Sequence, residues 1–346
     1  MTAKRGIMYF QQIRISNFIY TIAVYMAKIL VLRWRLPNRN TGAEKTMSYV
    51  CVVGGANVDI LCLPAAKIQL RDSNPGKLRV SPGGVGRNIA ENLARLGVDV
   101  KLLTVLGNDG NATLIRNNAW QTGIDLSHAI TADMPSSTYI SLNDVDGDMF
   151  VGFSAMDSID LLTTDYIAAN LALLNGATAV VLDTNLTDGL QYMCDNITAP
   201  KFMDAVSCAK AMRAKPYLRN LHCLKVNHEE ATALTGVEVV DERSARQCFA
   251  KLDCTETLYV SCGAKGVYCV DESGATFVPG FKTTAVNASG AGDSFFAGTV
   301  FGFVQGYDLV RAAKIGCACG ALTVASTETV CPTLDRTAVE KLFTDK

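Results

Sequence analysis

Three glycine-rich segments of the sequence carry the side chains that could do chemistry. The strongest is Asn287-Ala288-Ser289-Gly290-Ala291-Gly292-Asp293, which enters a long helical pattern. Glycines at a helix start let the backbone approach an anion closely, and the N–H groups of the first turn can then bind it. Asp293, a carboxylate beside such an anion site, is suited to accept a proton from an attacking hydroxyl, as phosphoryl transfer requires. The alternative is an ordinary N-terminal capping aspartate.

The second segment, Ser81-Pro82-Gly83-Gly84-Val85-Gly86-Arg87-Asn88, places three glycines before a helix. Asn88 offers both donor and acceptor groups, so the segment is suited to sugar hydroxyls. It matches neither the P-loop nor the dinucleotide-binding pattern. Asn57 and Asp59 follow the first strand in Gly54-Gly55-Ala56-Asn57-Val58-Asp59. We expect Asp59 at the carboxyl end of a parallel strand, where it could bind a diol, although a turn residue is the alternative.

The third segment is Lys225-Val226-Asn227-His228-Glu229-Glu230, directly after a strand-like run. Asn227 and Glu230 are three residues apart and share a face of the first helical turn. They could hold a hydrated Mg²⁺ through water, or they could form a capping box. The two interpretations are compatible.

Composition excludes several classes of protein. The chain has 346 residues, 32 Lys and Arg against 33 Asp and Glu, and 49% hydrophobic residues. This balance gives no electrostatic footprint for nucleic acid and no general attraction to anionic membranes. The twelve cysteines form no CxxC pair, and the three histidines do not pair with them at zinc-finger spacing. We therefore expect reduced, mostly buried cysteines and a cytoplasmic protein.

The first 46 residues differ from the rest of the chain. The apolar part, residues 18–32, carries Lys28 and is short for a membrane span, which needs ~20 apolar residues. A targeting or membrane role is one interpretation. The favoured one is a dispensable extension, residues 1–46, with the folded domain over residues 47–346.

From Met47 onward, strand-like and helix-like patterns alternate, which predicts a mostly parallel sheet with helices on both faces. Strands are predicted at 50–53, 102–106, 177–182, 202–203 and 223–226, and helices at 88–96, 228–234 and 244–252.

Two segments break that alternation and are predicted to form a small separate sheet. They lie at about 60–80 and 137–153, and the second contains the hairpin signal Asp146-Gly147 between alternating residues. Such a flap often closes over a ligand. An ornamental hairpin is the alternative.

Together these segments resemble the ribokinase (pfkB) carbohydrate kinase family. The resemblance rests on Gly83-Gly84-x-Gly86-x-Asn88, Asn227-x-x-Glu230, Ser261-Cys262-Gly263-Ala264-Lys265-Gly266 and Gly290-Ala291-Gly292-Asp293, and it spans about residues 47–340. It implies a three-layer α/β/α fold with a mostly parallel central sheet, a small β-sheet lid, and ATP-dependent phosphorylation of a sugar-like alcohol.

The resemblance also implies residue roles. Asp293 would be the base, and the backbone N–H groups of Gly290, Ala291 and Gly292 the anion hole. The remaining roles are ribose binding by Asn57, Asp59, Gly83, Gly84 and Asn88, base recognition by lid residues around Ser73, Asn74, Thr138 and Tyr139, nucleotide binding by Lys225, Asn227, Ser261, Gly263 and Gly266, and Mg²⁺ binding by Glu230 and, through water, Asn227.

Within the family, the sequence resembles a branch that phosphorylates the ribose 5′-hydroxyl of a nucleoside. That similarity lies in 72–77, 81–90, Asp204-Ala205-Val206-Ser207 and Asn287, while Ala205 stands where the branch has Pro. Asn287 replaces the family's usual Asp. Without that carboxylate, whether a monovalent cation binds near the anion hole is an open question.

Other acceptors remain alternatives, namely ribose, adenosine or another nucleoside. A non-catalytic ligand-binding relative is a further alternative, against which the intact Asp293 and its glycines argue. A homodimer through the lid is plausible by resemblance.

Overall fold

The computed structural model describes residues 48–186, 188–252 and 255–344. The predicted extension over residues 1–46 lies outside the described residues. No helix of the described part combines the length and apolar character needed to cross a membrane.

The strands are β1 (Tyr49–Val53), β2 (Asn57–Pro64), β3 (Gly76–Gly83), β4 (Asp99–Leu103), β5 (Val105–Leu106), β6 (Ile130–Thr131), β7 (Thr138–Asn143), β8 (Met149–Ala155), β9 (Ala179–Asp183), β10 (Lys201–Asp204), β11 (Leu221–Asn227), β12 (Thr255–Ser261), β13 (Gly266–Asp271) and β14 (Gly274–Pro279). The α-helices are α1 (Val85–Arg95), α2 (Gly110–Thr122), α3 (Thr164–Ala169), α4 (Leu171–Asn175), α5 (Leu190–Asn196), α6 (Cys208–Ala214), α7 (His228–Thr235), α8 (Glu242–Leu252), α9 (Ala291–Val304), α10 (Leu309–Val324) and α11 (Arg336–Thr344).

The main sheet has eight strands in the order β14-β13-β12-β11-β10-β9-β1-β4. The strands from β12 to β4 are parallel, and β13 and β14 add an antiparallel edge. Parallel strands joined by helices bring their carboxyl ends to one edge of the sheet, which is where such folds bind ligands.

Two hydrophobic cores cover the two faces of this sheet. Alternate residues of β1 point to opposite faces, so Val50 and Val52 enter one core while Cys51 and Val53 enter the other. The first core is completed by α1, α9 and α10, and the second by helices α5 to α8. This double burial explains why the sheet strands read as continuous apolar runs. The cysteines of the described residues are free thiols.

A second sheet, the lid, has four strands in the order β3-β2-β7-β8. Its two outer pairs are antiparallel, while β2 and β7 are parallel, a pairing that requires the long connection between them. The β7–β8 turn contains Gly147 at φ 93°, and the Asp144 carboxylate accepts from the N–H groups of Asp146 and Asp148. The Asp-Gly signal in the sequence thus marks a true hairpin.

Two local predictions are wrong. Residues 102–106 were expected to form one strand, but the chain changes partners at Thr104. β4 stays in the main sheet, whereas β5 pairs with β6, and Thr104 itself accepts from the Ile130 N–H. Asp59 was expected at the end of the first strand, but it lies within β2 of the lid, because the chain turns after β1 at Gly54–Ala56.

Candidate active site

The helix α9 begins with an N-terminal turn shaped by Gly290. This residue has φ 76°, a left-handed conformation that disfavours side chains, and a Cβ there would collide with the Thr329 carbonyl oxygen. Ser294 N–H donates to the Gly290 carbonyl at 2.9 Å, so the helical hydrogen bonding starts there. The N–H groups of the first turn point toward the helix N-terminus. The Ala291 N–H donates to the Ala288 carbonyl at 3.3 Å, whereas the N–H groups of Gly292 and Asp293 can donate to an anion there.

Asp293, in the first turn of α9, faces helix α1. The Asn88 Nδ2 donates to its carboxylate at 2.7 Å, although the two residues are 205 positions apart in the chain. Helix α1 begins after Gly84, which has φ 97° and lies so close to Gly55 and Ala56 that a Cβ would collide with their backbone. The two glycine-rich segments predicted from the sequence are thus brought together at one point.

The pKa of Asp293 is raised to about 7. Burial is the main cause, and the negative charge of Asp204 adds to it. The Asn88 hydrogen bond and the positive charges of Lys225 and Arg87 act in the opposite direction. A carboxylate with a pKa near neutrality is a stronger base than an exposed one, so Asp293 is tuned to accept a proton.

Lys225 and Asp204 form a buried ion pair on neighbouring strands, with Nζ and Oδ2 3.0 Å apart. A Cβ placed on Gly292 would lie 3.1 Å from the Lys225 Nζ, so this ammonium stands against the first turn of α9. Burial alone would lower the pKa of Lys225, but the carboxylates of Asp204, Glu230 and Asp293 outweigh it and raise the pKa. A permanent positive charge therefore reinforces the anion-binding helix N-terminus. The sequence showed Asp204 only as part of a branch motif.

Asn57 and Asp59 lie on the cavity side of β2. Asn57 Nδ2 donates to Asp59 Oδ1 at 2.6 Å, and Gly83 on the adjacent strand packs so close to this carboxylate that it has no room for a Cβ. Burial raises the pKa of Asp59, while Asn57 and Arg87 oppose that effect. Asp59 lines the cavity, where a carboxylate can accept from hydroxyl groups.

A cavity of about 420 Å³ joins the lid to the carboxyl edge of the main sheet. Of the predicted site residues, Asn57, Asp59, Gly84, Asn88 and Tyr139 line it. Polar side chains from α6 and from the segment after β9 form the part that we call the far end of the cavity. They are Asn185, Lys210 and Arg213, which the sequence analysis did not single out.

The far end of the cavity is built on Asp183, the last residue of β9. Its buried carboxylate accepts from the N–H groups of Gly55 at 3.0 Å and Asn185 at 2.9 Å. Lys210, on α6, donates to the Asn185 side chain, and Arg213 donates to the Thr184 carbonyl at 3.4 Å. The signal for these residues was the position of Asp183 to Asn185 at the end of a predicted strand.

Asn227 and Glu230 form a complete capping box at the start of α7. The Glu230 N–H donates to Asn227 Oδ1, and the Asn227 N–H donates to Glu230 Oε2, both at 2.8 Å. In the described ranges, no group of three or more His, Cys, Asp and Glu side chains is placed to hold a metal ion. The capping box uses Oε2 of Glu230, so Oε1 is the atom that would accept from a water bound to Mg²⁺.

Ser261 ends β12 directly beside Asn227, and its hydroxyl donates to the Val226 carbonyl at 3.4 Å. Gly263 and Gly266 form the tight turn to β13, with φ 57° and 129°. A Cβ on Gly266 would collide with the Val278 carbonyl oxygen. This turn brings backbone to the same sheet edge as α7 and α9.

The lid residues divide into two groups. Tyr139 lines the cavity, and Thr138 precedes it on β7, where its hydroxyl donates to the Ser136 carbonyl at 3.1 Å. Asn74 does not line the cavity. Its amide closes an exposed loop by bonding to the backbone of Gln69 and Asp72, and Ser73 lies in the same loop. The structure therefore gives Asn74 a turn-forming role and does not bring it to the other predicted site residues.

Comparisons with known proteins agree with this geometry. The model of the pfkB family carbohydrate kinases matches residues 47–335. A pseudouridine kinase from Escherichia coli (strain K12) is 33% identical over 298 residues, which cover 83% of this chain and 93% of the relative. A guanosine-inosine kinase from Exiguobacterium acetylicum is 27% identical, with 82% and 96% covered. An Arabidopsis thaliana ribokinase complexed with ribose and ATP superposes with a TM-score of 0.77 at 21% identity, with 85% and 98% covered.

The chain belongs to the pfkB family of carbohydrate kinases. It is an ATP-dependent phosphotransferase whose acceptor is a sugar or a nucleoside. The ribokinase-like α/β fold with a large, mostly parallel sheet and a smaller sheet, predicted from the sequence, is confirmed.

Proposed function

We propose that the chain is a pseudouridine kinase, which transfers the γ-phosphoryl group of ATP to the ribose 5′-hydroxyl of pseudouridine. The observation that carries the proposal is the contact between Asn88 and Asp293 at the sheet edge. Asn88 also lines the cavity, whose far end carries the N–H donors of Asn185 and Lys210. The 33% identity to a pseudouridine kinase, over most of both chains, supports the choice of nucleoside. The similarity in 72–77, 81–90 and 204–207 points to the same branch.

In this proposal Asp293 accepts the proton of the 5′-hydroxyl while the hydroxyl oxygen attacks the γ-phosphorus. A new P–O bond forms, the bond to the β-phosphate oxygen breaks, and ADP leaves. The backbone N–H groups of Gly290 to Gly292 hold the charge on the transferring group, and the Lys225 ammonium stands beside them. Because the pKa of Asp293 is raised to about 7, about half of the carboxyl groups are ionised near neutral pH, and the ionised form is more basic than an exposed carboxylate.

The ribose and the nucleotide occupy opposite sides of Asp293 in this proposal. Asn57, Asp59, Gly83, Gly84 and Asn88 bind the ribose 2′- and 3′-hydroxyls. ATP would contact Lys225, Asn227, Ser261, Gly263 and Gly266, which share the sheet edge. Mg²⁺, held by Glu230 and Asn227 through water, would neutralise charge on the triphosphate.

The uracil ring would lie at the far end of the cavity. Lys210 and Asn185 present N–H donors there, and uracil carries two carbonyl oxygens that can accept them. Tyr139, on the lid side of the cavity, offers a ring face for stacking. A free ribose has no base carbonyl oxygens to accept from these donors, so a nucleoside fits the cavity better than a sugar.

The first test is ADP release with Mg-ATP and a panel of pseudouridine, uridine, guanosine, adenosine, ribose and fructose 6-phosphate. A kcat/KM for pseudouridine that exceeds the others supports the proposal. The two uracil nucleosides differ only in how the base joins the ribose, so equal rates with uridine would contradict it. A preference for a purine nucleoside would favour the function of the guanosine-inosine kinase relative.

A second test concerns the far end of the cavity. Lys210→Met is expected to raise KM for pseudouridine by roughly 10-fold, the effect of about one hydrogen bond to a charged donor, and to change KM for ATP little. Lys215→Met is the control, because Lys215 follows the same helix but donates to the Leu234 carbonyl away from the cavity. Equal KM values in both variants would contradict the placement of the ring.

We also propose a homodimer through the lid. Asn57, Asp59, Tyr139 and Ser154 face the cavity, so the residues that alternate with them face outward. That outer face carries exposed apolar side chains, namely Leu78 (70% exposed), Val80 (51%), Val151 (52%) and Phe153 (63%). A contiguous apolar patch on a β-sheet typically marks an interface.

Light scattering with size-exclusion chromatography tests the dimer. The wild-type chain is expected to elute as a dimer, and Phe153→Glu as a monomer, because the carboxylate would be buried in the interface. Val240→Glu is the control, since Val240 is 66% exposed and its carbonyl accepts from the Tyr268 hydroxyl of the main-sheet strand β13 at 2.7 Å. A monomeric wild-type protein would overturn this part of the proposal and leave the kinase activity untouched.

A further inference from the structure

The base Asp293 is held by a buried chain of hydrogen bonds that begins at Arg87. The guanidinium of Arg87, 2% exposed, donates from Nη2 to the Asn88 Oδ1 and from Nη1 to the Glu91 Oε2. It also donates to the Asn118 Oδ1 at 3.1 Å. Asn88 then donates from Nδ2 to the Asp293 carboxylate at 2.7 Å. An uninterrupted line therefore runs from the ion pair inside α1 to the first turn of α9.

The orientation of the Asn88 amide decides whether this line works. The oxygen and the nitrogen of an amide lie on opposite sides of the group, so fixing one fixes the other. If the amide were turned round, its oxygen would face the Asp293 carboxylate, and two acceptors would oppose each other. The Arg87 guanidinium has only donor groups, and it lies beside Oδ1. An amide turned round would place its own N–H donors against these donors, so that arrangement is excluded.

The buried Arg87 side chain carries its own cost. Its Nε has no hydrogen-bond partner in the described structure, although the atom is buried. A buried N–H without a partner loses its hydrogen bond to water and gains none in return, which is unfavourable. The guanidinium nevertheless keeps the orientation that serves Glu91, Asn118 and Asn88, which indicates that these terminal contacts determine its position.

We infer that Arg87 is a positioning residue of the reaction, which acts through Asn88 to hold Asp293 in place and to favour its ionised form. The inference rests on the proposed function in one respect, the role of Asp293 as the base. Several charged groups face Asp293: Arg87 from α1, Asp204 from β10 and Lys225 from β11. Of these, Arg87 is the one that also fixes a hydrogen-bond donor to Asp293.

The main variant is Arg87→Met combined with Glu91→Gln, because Glu91 would otherwise keep a buried charge without its Arg87 partner. The matched control is Arg95→Met. Arg95 also pairs with Glu91, through Nε at 2.9 Å and Nη2 at 2.7 Å, but it does not touch Asn88. If Arg87 only stabilised helix α1 through Glu91, the control would behave like the main variant.

Kinetics give the first readout. The double variant is expected to lower kcat by about 10–100-fold, as loss of orientation at a reacting group does, with KM for ATP unchanged. The acid limb of its kcat/KM profile should move to higher pH than in the wild type, because a positive charge that favours ionised Asp293 is gone. Arg95→Met should match the wild type in both quantities. These measurements use whichever alcohol in the panel reacts fastest, so a wrong substrate assignment leaves them valid.

A second readout needs no turnover. The side-chain amide signal of Asn88 in a ¹H–¹⁵N spectrum, assigned by its loss in Asn88→Ala, should titrate with Asp293 with a midpoint near pH 7. In the double variant the midpoint should rise. Failure of the proposed function would appear as absent turnover with this titration intact, whereas an unchanged midpoint in the double variant would overturn the inference.

Arg87→Lys keeps the inference testable if the double variant does not fold. An ammonium keeps the charge but lacks the planar fork that reaches Glu91 and Asn88 together. It should therefore lower kcat while moving the acid limb little. Because Arg87 acts through Asn88, adding Arg87→Lys to Asn88→Ala should change kcat by less than about 2-fold. A full additional loss in that background would overturn the inference.

Discussion

Asp293 occupies a buried position that suits the proposed role as a base and costs folding free energy. Its carboxylate is desolvated, and the Asp204 carboxylate repels it, so its pKa rises from 3.8 to about 7. The folded chain therefore binds a proton at Asp293 more tightly than the unfolded chain does. Between these two pKa values the unfolded state holds fewer protons at this site, so its contribution to stability falls as the pH rises.

Asp293→Asn is accordingly expected to be inactive and more stable. At pH 8 the wild type buries a charge and the variant does not, so the melting temperature should rise, by about 2–4 °C for each kcal/mol recovered. The gain should shrink as the pH falls from 7 toward 4, because the wild-type carboxyl becomes protonated. Thermal melts of both proteins across this range give the measurement. A variant that is less stable than the wild type at pH 8 would contradict the desolvation argument.

Single residues also mark the limit of what the sequence could predict. Asp293, Asn88 and Asn227 were found because each lies in a local motif with a physical meaning. Lys210 and Arg213 were missed because they stand in an ordinary helix, and only the fold brings that helix beside Asn185. The structure places Asn74 in a loop away from the cavity, and an Asn next to Pro and Gly is as typical of a loop as of a binding site.

At the scale of elements, the site depends on how three helices begin. α9 starts at a left-handed glycine, α1 starts at a glycine with a positive φ of 97°, and α7 starts with a capping box. The capping box could be predicted from Asn227 and Glu230, and the α9 start from the glycines. The partner change at Thr104 could not, because the apolar run over 102–106 looks the same whether or not it crosses between sheets.

The start of α9 can be tested with two glycines of similar conformation. Gly290→Ala should lower the free energy of unfolding by well over the ~1–2 kcal/mol that a left-handed alanine costs, because the new Cβ also collides with the Thr329 carbonyl oxygen. Gly306→Ala is the control, since Gly306 has φ 73° and open space around a Cβ. Denaturant unfolding compares the two free energies. Equal losses would mean that the α9 turn can shift freely.

The capping box and the Mg²⁺ role of Glu230 can be separated. Glu230→Gln keeps an oxygen that accepts from the Asn227 N–H, so the stability of α7 should change little. Loss of the charge should raise KM for Mg-ATP by roughly 10-fold if Glu230 organises the ion. Glu229→Gln removes the same charge from an exposed neighbour and serves as the control. An unchanged KM in Glu230→Gln would leave Glu230 with its capping role alone.

At the scale of the whole molecule, alternation of strands and helices was enough to predict the class of fold. Parallel sheets bury both faces, and this leaves continuous apolar runs such as 50–53 and 177–182 in the sequence. The order of the strands was not predictable, because every buried strand satisfies the same pattern. The small sheet was predicted from its exception to that pattern, the hairpin over 137–153.

The chain from Met47 onward is expected to suffice for activity. The family model begins at residue 47, and the first strand begins at Tyr49. A protein that starts at Met47 should keep the kcat/KM and the melting temperature of the full chain. Parallel assays of the two proteins make the measurement, and a large loss of either quantity would show that residues 1–46 contribute to the kinase.

The strand β3 of the lid ends at Gly83, and helix α1, with Asn88 in its first turn, begins two residues later. A displacement of the lid would therefore also displace the residues that, in the proposed function, bind the acceptor and orient Asp293. Bound ATP would meet an assembled base only when an acceptor holds the lid down. The consequence is protection of ATP from hydrolysis. Without an acceptor, Asn88 and Asp293 would not yet be aligned, so water could not be activated to attack ATP.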